Sequence, residues 1–481
     1  MKYQIIGFTL GMILVIIGIA CVVPALLDWG DPKGNTDAFI RCAIASAFFG
    51  GILIISNSGF SRDINIKQGF LITTLSWFFL GLFTSFPFYM SNINISFTDA
   101  FFESVSGITT TGSTVLHGLD DMSKGVLLWR SMIQWIGGIG IIGFAIVFLP
   151  FLRIGGMQLF RTESSDKSEK IMPRAKQIAS SVFVVYLLLT SIFCLTYRVL
   201  GMSWFDAVNH AMTTISTAGY STHDASFGYF NSYALDMAGS LFMLMSGLPF
   251  LLYVKLVYQG KFPFFSDDQF KAFIAITLGL TLIMTIWLWA HSEYSLANSF
   301  RYTIFHVSSV ITTTGFATTD YLTWGPFSIT FFLFISYLGG CAGSTGGGLK
   351  IMRIIIALKA SDKHIKRLIH PHGVFTVRYQ GTPLQNDVIK DVFGFLGLYV
   401  LANAFFTLIL AWMGLDFETA ISAAATAISN TGPGIGNVIG PAGNFAPLPD
   451  AAKWILCFCM ILGRLEIITV FVLFRPEYWK D

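Results

Sequence analysis

Charged residues are distributed along this chain so that long apolar intervals lie between them. No Asp, Glu, Lys or Arg occurs in 3–27, 42–61, 68–98, 131–152, 177–197, 237–254, 272–292, 321–349 or 392–415, and 454–474 is interrupted only by Arg464 and Glu466. A helix needs about 20 mostly apolar residues to cross a bilayer. These intervals therefore predict ten membrane spans. The first is too long for the core of a signal peptide and lacks a cleavage pattern, so it is expected to remain as a helix.

Composition agrees with an all-α polytopic membrane protein. Charged residues make up 12% of the 481, against about 25% in a soluble domain. A net charge of +3 gives no reason to expect a nucleic-acid partner; the placement of the cations is more informative. With the N-terminus inside, 22 of the 30 Lys and Arg fall in cytoplasmic segments, chiefly 153–176 and 350–390, and the C-terminus is also inside. The six cysteines are scattered through apolar stretches, which predicts reduced thiols rather than a disulfide framework.

A fourfold repeat lies within this pattern. The segments FTDAFFESVSGITTTGS (97–113), WFDAVNHAMTTISTAGY (204–220), FRYTIFHVSSVITTTGF (300–316) and FETAISAAATAISNTGP (417–433) superpose without gaps on one glycine. Each opens on an aromatic residue and has Ile four positions before its glycine. The three positions preceding the glycine are small or hydroxylated, with Asn430 the one amide. Each segment lies between two spans, so the unit reads as span, short helix, turn, span, with 1–66 left over as an additional helical hairpin. The expected divisions are 67–152, 153–257, 258–358 and 359–481.

A single Thr-Thr-Gly is read most simply as a helix end with glycine in the left-handed cap position. Four copies at equivalent places point to a pore. A dehydrated cation needs several oxygens in place of water, and a ring of backbone carbonyls supplies them without net charge. Aiming successive carbonyls at one axis demands backbone angles that glycine tolerates. Short helices whose C-termini face the axis add partial negative charge there.

These loops, together with GGCAGSTGGGLK (339–350) and LGRLE (462–466), resemble the Trk/Ktr/HKT superfamily of potassium transporters over essentially the whole chain, and the leading hairpin is similar to its TrkH branch. The resemblance implies four pseudo-repeats of helix, pore helix, filter loop and helix around a central pore. It places the filter at Thr109, Thr110, Thr111 and Gly112; Ser216, Thr217, Ala218 and Gly219; Thr312, Thr313, Thr314 and Gly315; and Ser429, Asn430, Thr431 and Gly432. It further implies potassium as the transported ion with no organic cofactor on this chain. The expected setting is the bacterial inner membrane, as a homodimer gated by a cytoplasmic nucleotide-binding ring of the TrkA type. Glycine at all four ring positions goes with potassium in this family.

The glycine-rich 339–348 lacks the GxxxxGK[ST] spacing of a phosphate loop. Non-helical backbone at membrane depth is tolerated only where it lines a cavity or is buried in protein, so the break, in the span of the third repeat, is expected beneath the filter. By resemblance it is the gating loop, comprising Gly339, Gly340, Gly343, Gly346, Gly347 and Gly348. Arg464 is the cation inside a span core, and such charges face a partner or a watery cavity. Glu466 is a candidate partner, although residues two apart point to different helix faces. His210 and His306 sit at the repeat position of Glu103 and are expected to be hydrogen-bonded pore-helix residues. No nucleophile, base and orienting group occur together, which argues against an enzyme. A secondary transporter coupled to H⁺ or Na⁺ is the competing reading, but inverted repeats would favour it and these repeats are parallel.

Overall fold

The structure is a computed structural model that describes residues 4–59, 65–147 and 171–480. Most of the basic segment 153–176 lies outside these residues. The protein is built almost entirely from helices. α1 (Gln4–Ala20), α2 (Val22–Leu27) and α3 (Thr36–Ser56) form the leading hairpin. Four units follow. The first contains α4 (Ile66–Met90), α5 (Phe97–Ile108) and α6 (Lys124–Val147). The second contains α7 (Ile171–Val199), α8 (Trp204–Ile215), α9 (Tyr233–Ser246) and α10 (Phe250–Gln259). In the third are α11 (Asp268–His291), α12 (Leu296–Ile311), α13 (Pro326–Ile335) and α14 (Ile351–Ile369). The fourth has α15 (Asn386–Trp412), α16 (Phe417–Ser429), α17 (Asp450–Arg464) and α18 (Ile467–Phe471).

The second helix of every unit is short and polar at its start for a local reason. Ser96, Ser203, Ser295 and Asp416 each cap their helix by accepting the N–H three residues on, from Asp99, Asp206, Asn298 and Thr419. Such a cap satisfies one of the orphan donors of the first turn. At 12 residues, a rise of 1.5 Å each gives about 18 Å, half a bilayer. These helices enter and stop.

Of the ten apolar intervals, seven are realised among the described residues as helices long and apolar enough to cross a membrane, the first of them interrupted only by a turn at Cys21. Of the other three, 237–254 and 454–474 bend sharply where one span was expected, and 321–349 breaks at its glycine-rich end as expected. α9 and α10 meet at 91° and α17 and α18 at 110°. The first break falls at Gly247–Leu248–Pro249, where proline removes a helix donor. The second falls at Glu466, whose φ of 60° leaves the helical region. The interval 321–349 forms only the ten-residue α13 before the backbone leaves the helix. Arg464 is thus the last residue of a helix and not the middle of one.

The hairpin packs by backbone proximity. A Cβ on Gly11 would lie 2.7 Å from the Gly50 carbonyl oxygen, and one on Gly50 2.8 Å from that of Gly11. Small residues allow such approach between membrane helices. Buried Asp28 then ties the hairpin to the first unit, accepting from the N–H of Asn35 at 2.8 Å and of Gly125 at 2.6 Å. Hydrogen bonds to a charged group contribute about 1.5–3 kcal/mol each. Asp28→Ala is expected to destabilise the protein by about 2–4 kcal/mol, checked by thermal unfolding in detergent; an unchanged midpoint would show that the hairpin docks by packing alone.

Candidate functional site

The four turns that follow the short helices share one backbone form. The residue two before the glycine is left-handed in each loop: Thr110 at φ 55°, Thr217 at 51°, Thr313 at 62° and Asn430 at 56°. The glycines are left-handed too, with φ of 86° at Gly112, 75° at Gly219, 87° at Gly315 and 87° at Gly432. The residue between them donates its N–H five positions back into the short helix, from Thr111 to Ser106, Ala218 to Thr213, Thr314 to Ser309 and Thr431 to Thr426. A left-handed β-branched residue is strained, at about 1–3 kcal/mol each, and such strain clusters at functional sites. Asn430 tolerates this conformation best. Its side-chain amide donates to the Thr111 hydroxyl and the Met460 carbonyl, both at 2.9 Å, linking the fourth loop to the first.

The loops close into a ring. A Cβ on Gly112 would meet the Ala218 carbonyl oxygen at 2.1 Å, and one on Gly219 that of Thr314 at 1.9 Å. Continuing round, Gly315 faces the Thr431 carbonyl at 2.7 Å and Gly432 the Thr111 carbonyl at 2.9 Å. Each glycine abuts the residue preceding the glycine of the next unit, in cyclic order. Thr109, Ser216, Thr312 and Ser429 lie one step below, at the helix ends, and are fully buried. The helices that follow press equally close: a Cβ on Gly137 would lie 1.9 Å from the Ile108 carbonyl oxygen, and on Gly463 2.0 Å from that of Ile428.

The glycine-rich segment lies directly beneath this ring. The Thr345 hydroxyl donates to the Ile215 carbonyl at 3.0 Å and accepts from the Thr217 hydroxyl at 3.2 Å. The Gly347 N–H donates to the Thr313 hydroxyl at 2.8 Å. Gly346 and Gly347 approach the carbonyls of Thr312 and Ser429 too closely for a side chain. Gly339 packs on the Gly347 carbonyl, Gly340 on Gly247, and Gly343 and Gly348 take φ of 82° and 65°. The Arg464 guanidinium donates to the Thr345 carbonyl at 2.9 Å. The structure therefore brings Arg464 and the glycine loop together. Glu466 pairs instead with Arg353, at 2.7 Å, and among the described residues no carboxylate forms an ion pair with Arg464. Lys350, which sequence reasoning assigned only to the end of the loop, is buried and its ammonium donates to the Gly346 carbonyl.

Above the ring, a cavity of about 480 Å³ is lined by Thr114, His117, Asp224, Asn437 and Asn444 from three units. The Asp224 carboxylate accepts the N–H groups of Gly118 and Leu119, joining the first two mouth loops. Beside it His223 sits against Asp120 and Asp206. Burial lowers its pKa, but hydrogen bonds and attraction to Asp206 and Asp120 outweigh that, leaving it above the ordinary 6.5. His210 and His306 are buried in hydrogen bonds, His210 to the Asp206 carbonyl and the Ser221 hydroxyl, His306 to the carbonyls of Tyr302 and Thr319. Among the described residues no group of His, Cys, Asp and Glu is arranged to hold a metal ion.

Four short helices ending in a closed ring of backbone turns, set among long apolar helices, define a polytopic membrane protein of the transport class. The chain belongs to the TrkH family, described as cation transport proteins, whose family model matches residues 35–481. It is 46% identical over 415 residues to the Trk system potassium uptake protein TrkI of Halomonas elongata, covering 86% of this chain and 84% of that protein. It is 38% identical to the Trk system potassium uptake protein TrkH of Vibrio parahaemolyticus over the full length of both. The crystal structure of the potassium transporter TrkH from Vibrio parahaemolyticus superposes with a TM-score of 0.92 at 37% identity, covering both chains completely.

The unequal clearances round the ring make an ordered expectation. Alanine at Gly219 or Gly112 must displace a carbonyl about 2 Å away and should reduce cation flux in proteoliposomes the most. Alanine at Gly432, with 2.9 Å, should retain the most activity of the four. Equal loss at all four positions would mean that the left-handed φ alone decides the effect.

Proposed function

We propose that the protein takes up potassium across the bacterial inner membrane through a gated, passive pore. The mouth cavity faces outward, the glycine loop faces the cytoplasm, and both termini are cytoplasmic. The closed ring of four left-handed glycines carries this reading. It offers a carbonyl-lined constriction with the pore-helix C-termini around it, and Thr109, Ser216, Thr312 and Ser429 add hydroxyl oxygens at its inner end. Membership in a family of cation transport proteins supports the reading, and so do relatives named for potassium uptake.

The membrane potential supplies about 2.3 kcal/mol per charge per 100 mV, enough for accumulation without a coupling ion. The loop 339–348 with Arg464 is the gate in this reading. Arginine is planar, permanently charged and able to hold several carbonyls. In low dielectric its charge repels a cation on the axis, while its bond to Thr345 holds the loop in place. The chain works as a homodimer, as the family resemblance implies, under a separate cytoplasmic nucleotide-binding ring, because its longest inside segment, 350–390, is far too short to fold as such a domain.

Single-channel current from purified protein in a planar bilayer tests the pore: unitary currents that reverse near the potassium equilibrium potential support it, and uptake that requires an imposed H⁺ or Na⁺ gradient and shows no unitary currents overturns it in favour of coupled transport. Gly112→Ser should shift the reversal potential toward that of sodium. Arg464→Ala removes a charge-assisted bond of about 1.5–3 kcal/mol, which corresponds to a shift of roughly 10- to 100-fold toward the open state. Potassium flux measured without any regulator should rise accordingly, with selectivity intact. Wild-type flux from this variant would place the gate elsewhere.

A further inference from the structure

Behind the first two filter loops lies an ion pair that the pathway itself does not use. Arg130 on α6 and Glu103 on α5 are both shut off from solvent, with Nε and Oε1 2.9 Å apart. Every part of the guanidinium has a task. Nη1 donates to the Ser221 carbonyl at 2.9 Å, just past the second loop, and Nη2 to the Thr114 hydroxyl at 3.2 Å, just past the first. Its central carbon, Cζ, lies 4.1 Å from the centre of the Tyr220 ring. Glu103 accepts the Thr114 hydroxyl at 2.9 and 3.0 Å and the Val115 N–H at 2.9 Å.

Tyr220 immediately follows Gly219 and closes the circuit. Its hydroxyl donates to the carbonyls of Glu103 at 2.9 Å and Ser113 at 3.1 Å. Ser113, the residue after Gly112, in turn donates its hydroxyl to the Gly432 carbonyl at 2.8 Å. One turn along α6, Gln134 holds the same loop from below, donating to the Ala218 carbonyl at 2.8 Å and accepting the Tyr220 N–H at 3.1 Å. The chain of contacts thus runs from Arg130 through Glu103 and Tyr220 to three of the four loops.

We propose that Arg130 is a positioning residue which, acting through Glu103 and Tyr220, fixes the mouth ends of the first and second filter loops and so sets discrimination between potassium and sodium. This rests on the potassium-pore reading above. The physical case is that a buried ion pair seldom stabilises a fold more than apolar residues of like size, because desolvation offsets the attraction. Its worth lies in fixed geometry, and a fork of donors satisfied on all sides holds backbone atoms to a fraction of an ångström. The equivalent positions carry His210, His306 and Ala423, so only the first unit has this charged anchor.

Tyr220→Phe tests the proposal with the least disturbance, since it removes one hydroxyl and keeps the ring against the guanidinium. The potassium-to-sodium permeability ratio, read from reversal potentials in mixed salts, should fall about fivefold, the factor equivalent to one ordinary hydrogen bond. Glu103→Gln should lower it in the same direction. The double variant should be no worse than Glu103→Gln alone, because both act in one chain. Arg130→Lys, which keeps charge but loses the fork, should not restore selectivity. Wild-type reversal potentials in Tyr220→Phe, or additive losses in the double variant, would overturn the proposal. A wild-type protein that does not discriminate would instead overturn the potassium-pore reading, so the two failures are distinct.

Discussion

Backbone meets backbone at the centre of this molecule with no room for a side chain between. The four ring glycines each face a carbonyl of the neighbouring unit at a separation that a Cβ would violate. That approach decides much of what surrounds it. The short helices must end at membrane depth, so their first turns are capped by Ser or Asp side chains and their last carbonyls face the ring. The helices that follow must come equally near, so Gly137 and Gly463 stand against Ile108 and Ile428. Left-handed threonines at 110, 217 and 313 store strain that only a surrounding lattice of hydrogen bonds can hold. The N–H bonds returning five residues into each short helix are that lattice.

The same constraint explains why non-helical backbone survives beneath the ring. Unpaired peptide groups at membrane depth are costly, yet the loop 339–348 leaves few of them open. Its groups pair with Ile215, Thr313, Gly247, Gln269 and Arg464. These partners come from every unit except the first. Cys341 and Ala342 of the same loop are buried in the apolar core, so hydrogen bonds and packing hold it together.

The repeat was legible in the sequence because its signal is local. A left-handed turn needs glycine, the position two before it needs a residue that can be forced or coaxed into the same region, and both requirements appear as residue types at fixed spacing. The expectation that Arg464 faces something other than lipid followed from one charge in an apolar interval. Direction was not legible. Hydropathy counts apolar residues whether or not the helix bends, so the breaks at 247–249 and at Glu466 were hidden inside intervals of suitable length. Gly-Leu-Pro within 237–254 was the available cue for the first. Nothing local announced that Glu466 would turn to Arg353, more than a hundred residues away. Arg130 and Glu103 were equally obscure: one sat at the edge of an apolar interval, the other between two, and only the fold brings them to 2.9 Å.

Fourfold symmetry in the ring coexists with deliberate inequality around it, and one chain makes that possible. The loop 339–348 crosses beneath the ring and touches the second, third and fourth units at Thr217, Thr313 and Ser429. Four identical copies of such a loop would compete for one space, so a homotetramer could not carry it. A covalently joined set of four units can give the loop to the third, the guanidinium that holds it to the fourth, and the buried ion pair to the first. The backbone turns then remain alike, because each glycine must meet a carbonyl of the next unit at close approach. The side chains behind them diverge, because each unit supports the ring from a different neighbourhood.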